Sequence, residues 1–135
     1  MAILDNLGKY RNTGLLLLRL GIGTMFIIHG FPKLAGGPAG WANLGGSMKV
    51  IGIDFFPVFW GFMAAISETF GGFLLIVGLF FRPALILLIS TMIIAALVHF
   101  AKGDGLQGAS HAIELGIVFF GLLFIGPGKY SVDKK

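Results

Sequence analysis

The chain has 135 residues, 56% of them hydrophobic and only 12% charged, with a formal net charge of +4. A soluble domain this short leaves too much of its area outside to hide so much apolar side chain, so an ordinary soluble fold is excluded. Cysteine is absent, which excludes a disulfide, a thiolate nucleophile and a cysteine-held metal or iron–sulfur centre within the chain.

The apolar residues fall in blocks long enough for membrane spans, roughly 17–25 residues each. The first runs over 13–34, with Thr13 as candidate N-cap. It is longer than a signal-peptide core, and AGGPAG after it is no clear cleavage site, so it reads as a retained span. The second covers 57–81, with Pro57 in a tolerated first-turn position. Phe81-Arg82-Pro83 reads as a tight turn into the third span, 83–100. The fourth covers 109–125 and is stopped by Gly126-Pro127-Gly128. The expected architecture is all-α: an integral membrane four-helix up-down bundle forming one domain over 1–135. Glycine supplies 22 residues, well above a usual share of roughly 7%. Several lie inside the spans, where they let helices approach closely.

The loop over 35–56 is the longest. Pro38 can open a short helix there, placing Trp41, Leu44, Met48 and Ile51 on one face, as an interfacial helix or a lid. An irregular glycine-rich loop is the alternative. Lys9, Arg11, Arg82, Lys129, Lys134 and Lys135 fall on one side of such a bundle; Lys33, Lys49 and Lys102 fall on the other. The positive-inside rule then puts both termini in the cytoplasm. The scattered basic residues suit membrane orientation and give no nucleic-acid patch.

The ionisable residues within or at the ends of the spans are Arg19, His29, Lys33, Glu68, His99, His111 and Glu114. Charges there are costly, about 2.5–3.5 kcal/mol at a span centre on insertion scales, so they face the bundle interior and find partners. At about 100° per residue, Arg19, Gly23, Phe26, Gly30 and Lys33 share a stripe, with His29 beside it. Gly61, Ala64, Glu68, Gly72 and Leu79 form the second stripe; Leu88, Met92, Ala95, Ala96 and His99 the third; His111, Glu114, Val118, Gly121 and Ile125 the fourth. Rise per residue places His29, Glu68 and Glu114 roughly 16–24 Å from the cytoplasmic end, with His99 and His111 near the top of that band. Arg19 starts lower, but its long side chain can climb.

A polar layer results, with two readings of each member. Arg19 and Glu68 form a structural ion pair, or they hold a ligand or proton. Glu114 serves a proton or quinone, or pairs with Arg19 or His111. His29 bonds a carbonyl ligand or shuttles protons, or is an interfacial group. Lys33 snorkels to headgroups or acts in the site. His99 and His111 mark the ends of their spans, or the two ligate a metal or haem, a reading without a second-shell pattern behind it. The Gly-rich stretches lack the GK[ST] of a phosphate loop, and no serine sits in a nucleophile elbow, so nothing points to a hydrolase.

The stretches LLLRLGIGTMFIIHGFPKL (16–34), SETFGGFLLIVGLFFRPA (67–84) and GPGKYSVD (126–133) together resemble the DoxX family of small bacterial membrane proteins. Their Arg, His-Gly and Lys, the Glu-x-x-Gly-Gly core and the closing Gly-Pro-Gly run carry the match; Lys129 stands where Arg is common. The family-matching polar positions are Arg19, His29, Lys33 and Glu68. The resemblance implies a multi-pass protein of the bacterial inner membrane. Relatives are associated with thiosulfate:quinone oxidoreduction, with complexes of oxidoreductases and superoxide dismutase, and with stress roles, so it implies no single activity. Whether the chain is itself an enzyme stays open. One expectation is a quinone-linked or oxidoreductase-associated subunit, with a quinone between the helices and a soluble oxidoreductase or second membrane subunit as partner. The other is a non-catalytic scaffold or homo-oligomeric module whose buried charges are structural.

Overall fold

The computed structural model describes residues 3–133. A 3₁₀ segment, Asp5–Tyr10, leads into α1 (Arg11–Ala35). Then come α2 (Gly37–Gly45), a second 3₁₀ segment (Gly46–Ile51), α3 (Pro57–Val77), α4 (Phe81–Ala101) and α5 (Gly105–Ile125). Four of these, α1, α3, α4 and α5, are long and apolar enough to cross a membrane. The molecule is an all-α membrane bundle.

Neighbours in space differ from a closed ring. α1 packs on α3, α3 on α4, and α4 on α5, while no described Cα of α1 comes within 8 Å of one in α5. An opening is left between the first and last spans. Leu75, Phe81, Leu85, Leu88, Phe119 and Leu122 fill the core on the side where α3 turns into α4.

Glycine sets the closest crossings. A Cβ on Gly23 would lie 2.6 Å from the Gly72 carbonyl oxygen, and one on Gly72 would lie 2.6 Å from that of Gly23. The α1 and α3 backbones therefore touch. At the other end, a Cβ on Gly61 would run into the Trp41 carbonyl, and one on Gly45 into that of Pro57. The first-loop segment is thus a helix clamped across the start of α3. Trp41 Nε1–H donates to the Lys33 and Leu34 carbonyls at 3.2 and 3.1 Å, tying this lid to the end of α1. Ile51 leaves the expected face and is exposed, because the winding tightens to 3₁₀ from Gly46 onward. Gly61→Ala is expected to prise the lid off α3 at a cost of about 1–3 kcal/mol, read as a lower melting temperature and faster proteolysis between α1 and α3. Gly40→Ala, which meets nothing within 4 Å, should leave both unchanged.

Helix ends also differ from the sequence expectation. α1 begins before Thr13 and continues through Pro32 to Ala35. The turn between α3 and α4 is at Gly78–Phe80, not at Phe81-Arg82-Pro83. Gly78 has a φ of +71°, a left-handed stop that glycine adopts freely, and its N–H bonds the Leu74 carbonyl at 2.8 Å. Pro83 lies in the first turn of α4, where a missing N–H costs nothing. Leu79 therefore leaves the Glu68 stripe, and Ala65 rather than Ala64 is its fully buried member. α5 starts at Gly105, four residues before its apolar run.

The inward face of α5 also differs. Ala109, Ala112, Phe119 and Leu122 are buried, whereas Glu114, Val118, Gly121 and Ile125 are exposed. Both stripes mix small and large apolar residues, so periodicity alone does not choose between them. Phe119, its ring tilted at 47° against Phe26 of α1 with 5.3 Å between centroids, and the burial of Ala109 and Ala112 set the choice.

Candidate functional site

Gly30 allows the site to form. A Cβ there would stand 2.8 Å from Glu68 Cβ and from Thr69 Oγ1, so α1 lies directly on α3 at Glu68. Lys33, one turn further along the same face, then reaches back. Its Nζ donates to Glu68 Oε2 at 2.8 Å and to Oε1 at 3.2 Å. Glu68 is buried, 4% exposed, while the Lys33 side chain is 41% exposed.

The acid therefore pairs with Lys33 and not with Arg19, and Lys33 bonds it instead of reaching for headgroups. Arg19 stands at the opposite end of the bundle and does not climb into the layer. It is 1% exposed. Its Nε and Nη2 donate to the Leu75 and Ile76 carbonyls at 2.9 and 2.8 Å, and its Nη1 to those of Pro127 and Tyr130, each at 2.9 Å. The guanidinium caps the C-terminal end of α3, where the helix dipole favours a cation. It also holds down the strap that follows α5. Further along that strap, Asp133 accepts the Phe80 and Phe81 backbone N–H groups at 3.1 and 2.8 Å, at the start of α4.

Beside the ion pair, the opening between α1 and α5 forms a cleft of about 640 Å³. Leu17, Ile22, Met25 and Phe26 of α1, Met92 and Ala95 of α4 and Leu115 of α5 supply its apolar walls. Its polar end gathers His29, Lys33, Glu68, His99 and His111. Those residues come from four different helices, and the open order of the bundle brings them together. His29 and His111 make no hydrogen bond to another described residue. Glu114 is exposed on the far side of α5, outside the cleft, and bonds neither Arg19 nor His111. No three His, Asp or Glu side chains among the described residues stand close enough to share a metal ion.

Sequence reasoning missed Asp104. It sits at the head of α5, and its Oδ2 lies 2.7 Å from His99 Nδ1. This hydrogen bond fixes the orientation of the His99 ring. The five-residue separation, His99 to Asp104 across a helix–helix turn, was the available signal.

Known proteins share this chain's pattern. A family model described as DoxX matches residues 14–101, taking in α1, the lid, α3 and α4. An uncharacterized protein of Haemophilus influenzae is 30% identical over 98% of this chain and 97% of its own length. Inner membrane protein YphA of Escherichia coli is 28% identical over 95% of this chain and 94% of its own length. No solved structure matches. Arg19, Gly30, Lys33 and Glu68, whose bonds build the site and its support, all lie within the matched segment, and the chain belongs to the DoxX family.

Proposed function

We propose that this protein is a quinone-linked inner-membrane subunit, with both termini in the cytoplasm and its ligand in the α1/α5 cleft. The observation that carries this reading is the cleft itself: an apolar trough of about 640 Å³ ending in His29, Lys33, Glu68, His99 and His111. The inner-membrane placement follows the name of the E. coli relative and the four apolar helices. The orientation follows the lysine and arginine bias.

The residues fit such a ligand. The walls suit a ring and an isoprenoid tail, and the wide α1–α5 spacing, with no described Cα pair within 8 Å, gives a side door toward lipid. Bound there, a quinone supplies two-electron chemistry that a chain without cysteine lacks. Lys33, its ammonium held in place by Glu68, would be the donor to a carbonyl oxygen. His29 and His111 have free ring nitrogens for a second carbonyl or for moving protons. His99, its ring oriented by Asp104, lines the same polar end. A partner oxidoreductase would supply the electrons.

The test is purification in mild detergent, solvent extraction and mass spectrometry. Near-stoichiometric quinone is expected, falling roughly tenfold, the equivalent of about 1.4 kcal/mol, in a His29→Leu/His111→Leu variant. No quinone in the wild-type extract, together with no quinone reduction by any candidate donor, overturns the reading. A scaffold role is the second reading, favoured by Arg19, whose bonds all tie structural elements together.

A further inference from the structure

The Lys33–Glu68 pair has a second side. Across it, between α3 and α4 and under the lid, lies a separate groove of about 540 Å³. The two cavities share a wall made of Lys33, Glu68, Met92, Ala95 and His99. Beyond that wall the groove has its own chemistry. Lys102 stands at its outer end, and Ser67 lines it without a hydrogen bond to another described residue. Trp60 belongs to its lining through its ring, while the indole Nε1–H is buried away from the open groove. The remaining surface is apolar, chiefly Met48, Met63, Leu87 and Ile94.

Charge decides the class of occupant. Lys33 and Lys102 give two positive charges and Glu68 one negative, a formal lining charge of +1 with His99 neutral. The Lys102 ammonium donates only, and the Ser47 and Ser67 hydroxyls, without a hydrogen bond to another described residue, can each donate as well. The groove therefore asks for an acceptor bearing one negative charge, joined to an apolar body. A cavity of about 540 Å³ falls in the range of roughly 300–1,000 Å³ that holds one small-molecule ligand. We propose that the α3/α4 groove is a binding site for a single-chain organic anion, with its carboxylate between Lys102 and the Lys33–Glu68 pair and its chain along Met63, Leu87 and Ile94. This site is separate from the α1/α5 cleft and stands whether or not that cleft holds a quinone.

The chain has two tryptophans, so Trp41→Phe leaves Trp60 as the sole reporter in the groove wall. The Trp41→Phe protein is reconstituted in nanodiscs of unbrominated phosphatidylcholine and titrated with a dibrominated C18 fatty acid. Saturable quenching of Trp60 is expected, with the half-saturating concentration raised at least about fivefold by Lys102→Gln (about 1 kcal/mol). Lys102 is exposed and bonds only through its backbone, so that variant keeps the fold. Quenching that rises linearly, matches dibrominated phosphatidylcholine and ignores Lys102→Gln overturns the proposal. So does saturable quenching by dibrominated phosphatidylglycerol with none by the fatty acid, since the occupant is then a two-chain membrane lipid.

Discussion

Arg19→Met is expected to cost about 3–5 kcal/mol and to free the strap that follows α5. Methionine replaces most of the volume but none of the donors. The carbonyls of Leu75, Ile76, Pro127 and Tyr130 then lose their partner, and a buried acceptor left alone costs about 1–3 kcal/mol. The sum is held below the simple product because helix-end carbonyls can reach water. Arg19→Lys should fall between, since one ammonium keeps the charge but cannot span a four-carbonyl fork. Detergent-titrated unfolding measures the loss. Trypsin cleavage after Lys129, slow in the wild type and fast in Arg19→Met, reports release of the strap. Equal stability of Arg19→Met and wild type would refute the clamp.

The Lys33–Glu68 pair should respond asymmetrically. Lys33→Met leaves a buried carboxylate, 6% exposed at the side chain, without its cation; the expected cost is about 3–5 kcal/mol. Glu68→Gln leaves an ammonium that is already 41% exposed. It can swing toward water on its flexible stem, so the cost should be about 1 kcal/mol, the worth of one ordinary hydrogen bond. Changing both to methionine removes the pair together and should restore most of the stability. Unfolding titrations of the three variants complete the cycle. The double variant also separates the two functional readings. A folded protein that retains quinone binding assigns the pair to structure alone; a folded protein without quinone assigns it to the site.

Much of α1 is legible in the amino-acid sequence. Arg19, Gly23, Phe26 and Gly30 are buried along one stripe, because a glycine- and arginine-bearing face leaves few alternatives in an apolar helix. The partners of Arg19 are not legible there. Helical spacing gives the direction of a side chain, and rise gives its height, but neither says whether an arginine climbs or turns back. Arg19 turns toward the end of α3 because a free set of carbonyls and a helix dipole lie there, and backbone acceptors have no sequence signature. The polar residues of α5 point the expected inward face toward Glu114, which is the wrong side. Ala109 and Ala112, which pack closest, carry no such flag. The convergence of His29, His99 and His111 depends on α1 and α5 standing apart, a property of bundle order and not of any single span.

The clamp around Arg19 also has a consequence for biogenesis. Its acceptors at Pro127 and Tyr130 lie 108 and 111 residues downstream. When the first span leaves the translocon, half of the groups that will hold this arginine have not been synthesised. The charge must wait near the lipid surface, hydrated, until all four spans are in place. A chain that ends short of the strap leaves Arg19 without the Pro127 and Tyr130 carbonyls.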